Sequence, residues 1–149
     1  VSRFVSAGGG FLLAVLWFDL MFDVQVIRHR DREPPEEVLA SISAYYARVT
    51  TAARPMNRLI AAVMLATLAA ILVELIEAGS PTWVAAVSLA LAAAAIGLAA
   101  MRTVPSAVRI GSRRDSAPRQ GELARSILGQ HLFCAAAIAL LLVLQLGFA

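Results

Sequence analysis

Apolar and polar positions separate into long blocks along this chain. Apolar runs cover about Gly8 to Ile27, Met56 to Ile76, Thr82 to Met101 and Ile127 to Phe148. Each is about 20 residues, or ~30 Å as a helix, which matches the hydrocarbon thickness of a bilayer. Transmembrane β-strands would be about ten residues long with alternating polarity, and nothing here alternates. The pattern predicts an all-α fold: a four-helix transmembrane bundle, with residues 1–149 forming one integral membrane domain.

The polar segment between the first two runs carries a pattern of its own. After Arg28-His29-Arg30-Asp31-Arg32-Glu33 come Pro34 and Pro35, then Glu36 and Glu37. Proline followed by acids favours a helix start, because the first turn lacks amide partners and carries partial positive charge. Val38, Ile42, Tyr45, Val49 and Ala52 then recur at helical spacing, and Leu39, Tyr46 and Ala53 widen the stripe. The spacing predicts an amphipathic helix over about 36–53, on the cytoplasmic side, lying at the interface or docking on the bundle. Pro55 ends it or kinks it into the second span.

The Glu77–Pro81 connection contains Gly79-Ser80-Pro81 and reads as a tight turn, so the second and third spans are antiparallel neighbours. Thr103-Val104-Pro105 places the end of the third helix near the membrane surface. Gly121 to Arg125 places the start of the fourth before the bilayer. The third span is alanine-rich. Ala86, Ala90 and Ala94 share a face, Ala93 and Gly97 form a small-xxx-small pair, and this helix is expected at the packing centre.

Composition agrees with the blocks. The chain is 60% hydrophobic, against about 45–50% in soluble domains. Its pI near 10.0 invites a nucleic-acid reading. That reading is rejected, because the basic residues follow the membrane rule instead. All 13 are arginine, and 12 fall in two regions: Arg28 to Arg58 and Arg102 to Arg125. The positive-inside rule puts both regions in the cytoplasm and both termini outside, most simply in a bacterial inner membrane. Val1 to Ala7 carries only Arg3, so no cleavable signal is expected. Cys134 is the single cysteine, which rules out an intrachain disulfide.

Candidate chemistry lies in one layer. Asp19 and Asp23 are one turn apart on the first span, about 12 Å and about 6 Å from its cytoplasmic boundary. His131 lies about one turn into the fourth span, level with Asp23. Asn57, Arg58 and Arg102 mark the same level on the other two, and Trp17, Tyr45 and Tyr46 could wall it. Asp19, Asp23 and His131 could be acid/base groups or metal ligands, with the other six contacting a ligand. The alternative is structural pairing of Asp23 with Arg58 or Arg102. His29 reads as solvated, Cys134 as packing and Gln130 as orienting His131. Glu74 and Glu77 read as interfacial, and Gln145 as an interhelical hydrogen bonder. There is no GxGxxG, P-loop, HExxH, CxxC or CxxCH motif.

The layout resembles the small four-helix membrane proteins of the anthrone oxygenase-like superfamily. The shared features are a Gly-rich first span, a loop helix bearing Tyr45-Tyr46, Pro55-Met56 starting the second span, Pro105 closing the third and Arg125…His131 opening the fourth. Where the family often has Asn two residues after the proline and Arg three after the histidine, this chain has Ala107 and Cys134. The resemblance implies the fold and an inner-leaflet site around His131. Three functions stay open. The chain binds or transforms a hydrophobic small molecule as an oxygenase-like enzyme, serves as a scaffold with a homo-oligomeric or partner membrane subunit, or acts as a proton-linked carrier. The bilayer is a partner in each. No cofactor or metal is named by the sequence.

Overall fold

The structure is a computed structural model describing residues 1–78 and 80–149. It is all-α, with no strand among the described residues. Helix α1 runs Ser2–Asp23 and tightens into a 3-10 turn, Val24–His29. Helix α2 (Glu36–Ala47) ends in a π turn, Arg48–Ala52, and leads into α3 (Arg54–Glu77). Helix α4 (Thr82–Leu98) passes through a π turn, Ala99–Thr103, into α5 (Val104–Ser112). Helix α6 (Ala117–Phe148) closes the chain.

Among the described residues, four continuous helical stretches are long and apolar enough to cross a membrane: Ser2–His29, Arg54–Glu77, Thr82–Ser112 and Ala117–Phe148. Their outward faces are apolar. Ile76 is 82% exposed and Met101 80%, with Phe4, Leu65 and Leu146 nearly as open. A bundle whose large apolar side chains point outward in number fits lipid as its surroundings, because helices satisfy their own backbone groups there. The fold is that of a small integral membrane protein.

Helix α6 is the centre of the bundle, packing against both α1 and α4. The inner face of α4 carries Ala85, Ser88, Ala92 and Ala95. Ala86, Ala90, Ala93 and Ala94 point outward, so the small-residue face expected to pack is the other one. Composition could not choose, since alanine lies on every side of this helix. Gly8 brings α1 onto α3, because any Cβ there would strike the Thr67 side chain.

The third span does not end at Pro105. Proline lacks an amide proton and clashes with the preceding turn of a regular α-helix. The π turn widens the helix just before it, with the Val104 amide donating to the Ala99 carbonyl, and α5 starts with Pro105 in its first turn. The segment expected as polar loop therefore begins with an amphipathic helix that buries Ala107 and Ile110. The expected turn at Glu77–Pro81 includes Gly79, which lies outside the described residues. Before it, Ala78 closes α3 in the left-handed region at φ 50°.

Helix α2 docks on the bundle, burying Leu39, Ile42, Ser43 and Tyr46. Val26, Ile42, Tyr46, Ala107, Ile110, Ala124, Ile127 and Leu128 form one apolar cluster. Helices α2 and α5 approach closely at Gly111, where a Cβ would come within 2.8 Å of the Ala47 nitrogen. Arg113 closes α5 and reaches Glu36 Oε1 at 2.6 Å, at the start of α2. That pair is largely exposed and contributes little energy. Arg125 donates to the His29 carbonyl at 3.4 Å, satisfying one end group of the α1 extension.

Candidate functional site

Asp19 and Asp23 lie four residues apart on α1, so both carboxylates project from one face. Helix α2 crosses that face with adjacent tyrosines. Tyr45 donates its hydroxyl to Asp19 Oδ1 at 2.6 Å, and Tyr46 donates to Asp23 Oδ1 at 2.6 Å. Tyr45 is fixed by stacking on Phe22, with ring centroids 4.0 Å apart and planes 10° from parallel. Tyr46 meets Tyr45 edge-on at 5.2 Å. Stacking holds each phenol in its orientation.

Helix α6 supplies the imidazole. His131 Nδ1 lies 2.6 Å from Asp23 Oδ2, and Tyr46 Oη is 3.5 Å from the same nitrogen. Asp23 is fully buried. A buried carboxylate on one ring nitrogen places the neutral ring's proton there and fixes the ring's orientation, leaving the other nitrogen for a ligand. That nitrogen, Nε2, is 3.8 Å from Asp19 Oδ2, too far for a direct hydrogen bond.

Burial, together with the charges of Asp19 and Asp23, pushes both tyrosine hydroxyls well above the ordinary phenol range. Both phenols therefore stay protonated and act as donors. The result is a five-member polar cluster in which Asp19 Oδ1 and both oxygens of Asp23 are engaged. Asp19 Oδ2 and His131 Nε2 remain for a further partner.

These two groups face a cavity of about 450 Å³. Its walls are apolar, from Phe11, Leu12 and Phe18 on α1 to Met64 on α3, Ala95 on α4 and Ile138 on α6. A volume of this size fits a drug-sized molecule. Thr50, Asn57 and Thr103 add uncharged polar groups to its lining. The cavity exists because Ala95, Ala99 and Ala107 leave room where larger side chains would close the bundle.

No family model, no curated protein and no solved structure matches the chain. The site is therefore read from its own geometry.

Asp19, Asp23, His131, Tyr45 and Tyr46 come together in one cluster. Asn57 lines the cavity and donates to the Thr50 carbonyl at 3.1 Å. Trp17 is 68% exposed and lies on the outside of α1, while its neighbour Phe18 lines the cavity. Arg58 and Arg102 are exposed, and among the described residues neither pairs with Asp23. The expected Asp23–arginine pairing is thus replaced by Asp23–His131. Depth put the arginines in the right layer, but the helical azimuth turned them away. Gln130 donates to Ser126 at 2.9 Å, away from His131. Cys134 lines the cavity and points its thiol at the Ala95 carbonyl, 3.5 Å away.

At the opposite end, Gln145 donates to Ser88 at 3.1 Å, as expected of an interhelical bond. Glu74, expected at the interface, is buried, and its carboxyl oxygens have no partner among the described residues. Phe18 and Thr103 are lining residues that sequence reasoning missed. Thr103 had a readable signal, since it sits one residue from Arg102 in the polar layer.

Proposed function

We propose that this chain is a membrane-embedded receptor for a hydrophobic small molecule, held between the helices with its polar end against Asp19 and His131. The observation that supports this reading is the apolar cavity of about 450 Å³ ending at two acceptors that the protein itself leaves unengaged. The Asp23–His131 pair equips the site for proton transfer. A neutral imidazole oriented through Nδ1 can take a proton at Nε2 within the cavity and, once charged, return it. Asp23, Tyr45 and Tyr46 would act as positioning residues.

In this reading the two arginine-rich regions face the cytoplasm of a bacterial inner membrane, and both termini lie outside. The site then sits in the inner-leaflet half, open to molecules dissolved in that leaflet. An oxygenase-like activity, following the layout resemblance, would use His131 as acid/base and Asp19 or Asp23 as its partner.

The test is binding of a neutral, fluorescent apolar alcohol, 1-pyrenemethanol, to the purified protein in nonionic micelles. Saturable binding beyond micelle partition is expected. Ala99→Phe, which puts a ring into the cavity, should abolish it while leaving helix content unchanged. Binding equal to partition into empty micelles would refute the proposal.

A further inference from the structure

Five polar groups meet at the cavity wall, yet among the described residues only two atoms of this cluster are left for a ligand, and both are acceptors. Asp19 Oδ2 has no donor, because Tyr45 engages Oδ1. His131 Nε2 has no donor, because the ring proton faces Asp23 through Nδ1. The two acceptors are 3.8 Å apart. A single nitrogen could donate to both at ordinary hydrogen-bond lengths of about 2.8–2.9 Å, seated at the apex of that short base.

Charge points the same way. Asp19 and Asp23 bring two carboxylates into contact with one imidazole. The charged and titratable groups facing Asp19 are Asp23 on α1, Tyr45 and Tyr46 on α2, and His131 on α6. The Cys134 thiol lines the cavity wall further along α6. The α2–α3 junction adds only uncharged Thr50, α3 only Asn57 and the α4–α5 junction only Thr103 among polar lining residues. Among the described residues no arginine lines the cavity. An anionic headgroup would therefore meet the Asp19 carboxylate, with buried Asp23 behind it, and no cation. Unbalanced charge in an apolar cavity is costly, so a proton or a cation has to balance it. The lining also contains four aromatic residues, Phe11, Phe18, Tyr45 and Tyr46, a residue type that attracts cations. Thr103, whose Oγ1 is buried and without a partner among the described residues, also belongs to the lining.

We infer that Asp19 Oδ2 and His131 Nε2 form a receptor for a lipophilic primary or secondary ammonium, which takes the place of a proton held by the empty site. This rests on the cavity being a ligand site and adds the class of ligand. The exchange balances simply. R–NH₃⁺ enters with its N–H bonds intact, one H⁺ leaves the Asp19–His131 pair for solvent, and the net charge of the site is unchanged. Coupling of that kind would let a proton gradient drive release of the amine.

The experiment compares 1-pyrenemethylamine with 1-pyrenemethanol, nearly the same shape with and without the ammonium. Affinity is read by fluorescence and proton release by an indicator dye in weakly buffered nonionic micelles near neutral pH. The amine should bind the unmodified protein about tenfold or more tightly than the alcohol. It should release close to one proton per protein, as linkage requires, and the alcohol none. Asp19→Asn should weaken the amine about tenfold and abolish proton release. If the alcohol binds but the amine binds no tighter, or releases no proton, the ammonium receptor is wrong while the cavity remains a ligand site. Unchanged amine affinity in Asp19→Asn also overturns the receptor. If neither molecule binds, both the ligand site and the receptor fall.

Discussion

Asp23 Oδ2 and His131 Nδ1 lie 2.6 Å apart, joining α1 to α6 across 108 residues of sequence. The other oxygen of Asp23 takes the Tyr46 hydroxyl, so one buried carboxylate ties together three helices. Removing it would strand two buried donors. Asp23→Ala should cost about 3–5 kcal/mol, as for other buried pairs that lose one partner. Asp23→Asn keeps a carbonyl acceptor and should cost less. A double-mutant cycle with His131→Gln, read by denaturation in mixed micelles, should give a coupling of about 0.5–3 kcal/mol. Simple additivity would mean that the two side chains do not interact.

The tyrosines give a spectroscopic test. The chain has only two, Tyr45 and Tyr46, and both belong to the cluster. Their hydroxyls are pushed upward by burial and by the neighbouring carboxylates. An unfolded tyrosine ionises near pH 10. A folded-state value above that makes the contribution to stability complete below about pH 10 and progressively lost as pH rises beyond it. Tyrosinate absorbance should therefore stay silent through about pH 10 and rise together with loss of helix. Normal titration of either phenol in the intact bundle would show that it does not face the carboxylates.

Two glycines separate close approach from open surface. At Gly111 an added Cβ would meet the backbone of Ala47, which cannot swing aside. Gly111→Ala should destabilise by about 1–3 kcal/mol, as overpacking does. At Gly129 a Cβ meets nothing, and Gly129→Ala should be neutral or gain up to about 1 kcal/mol from helix propensity. Equal effects at the two positions would contradict the docking of α5 on α2.

Much of the fold was legible because hydropathy and helical period report it directly. The four spans follow from run length, and α2 follows from Glu36-Glu37 and the stripe through Ile42 and Tyr46. Asp19, Asp23 and His131 were brought together by depth alone, since antiparallel helices share levels. Depth fixes only one coordinate, however. It placed Arg58 and Arg102 beside Asp23, and Trp17 on the wall, although their azimuths point outward. The π turns at Arg48–Ala52 and Ala99–Thr103 were not readable, because they shift the helical phase without changing composition. Helix α5 was readable in part, through Thr103, Ala107 and Ile110 at helical spacing, but the surrounding arginines masked it. The cavity was not legible at all. It is a difference between side-chain volumes on six helices, and no single segment encodes it.

Orientation is tested by labelling in intact cells, in a Cys134→Ala background. Thr82→Cys, on the exposed start of α4, should react with an impermeant thiol reagent. Ser116→Cys, exposed between α5 and α6, should react only after the membrane is opened. The reverse pattern would move the polar cluster to the outer leaflet.

The central claim is that a hydrophobic molecule occupies the space between the helices with its polar end at Asp19 and His131. Photolabelling with a diazirine-bearing apolar amine, followed by mass mapping, tests this most directly. Adducts are predicted on cavity-lining residues such as Leu12, Ala95 and Ile138, and they should disappear with excess 1-pyrenemethylamine. Adducts confined to outward-facing residues such as Phe4, Leu65 and Leu146, undiminished by competitor, would contradict the account.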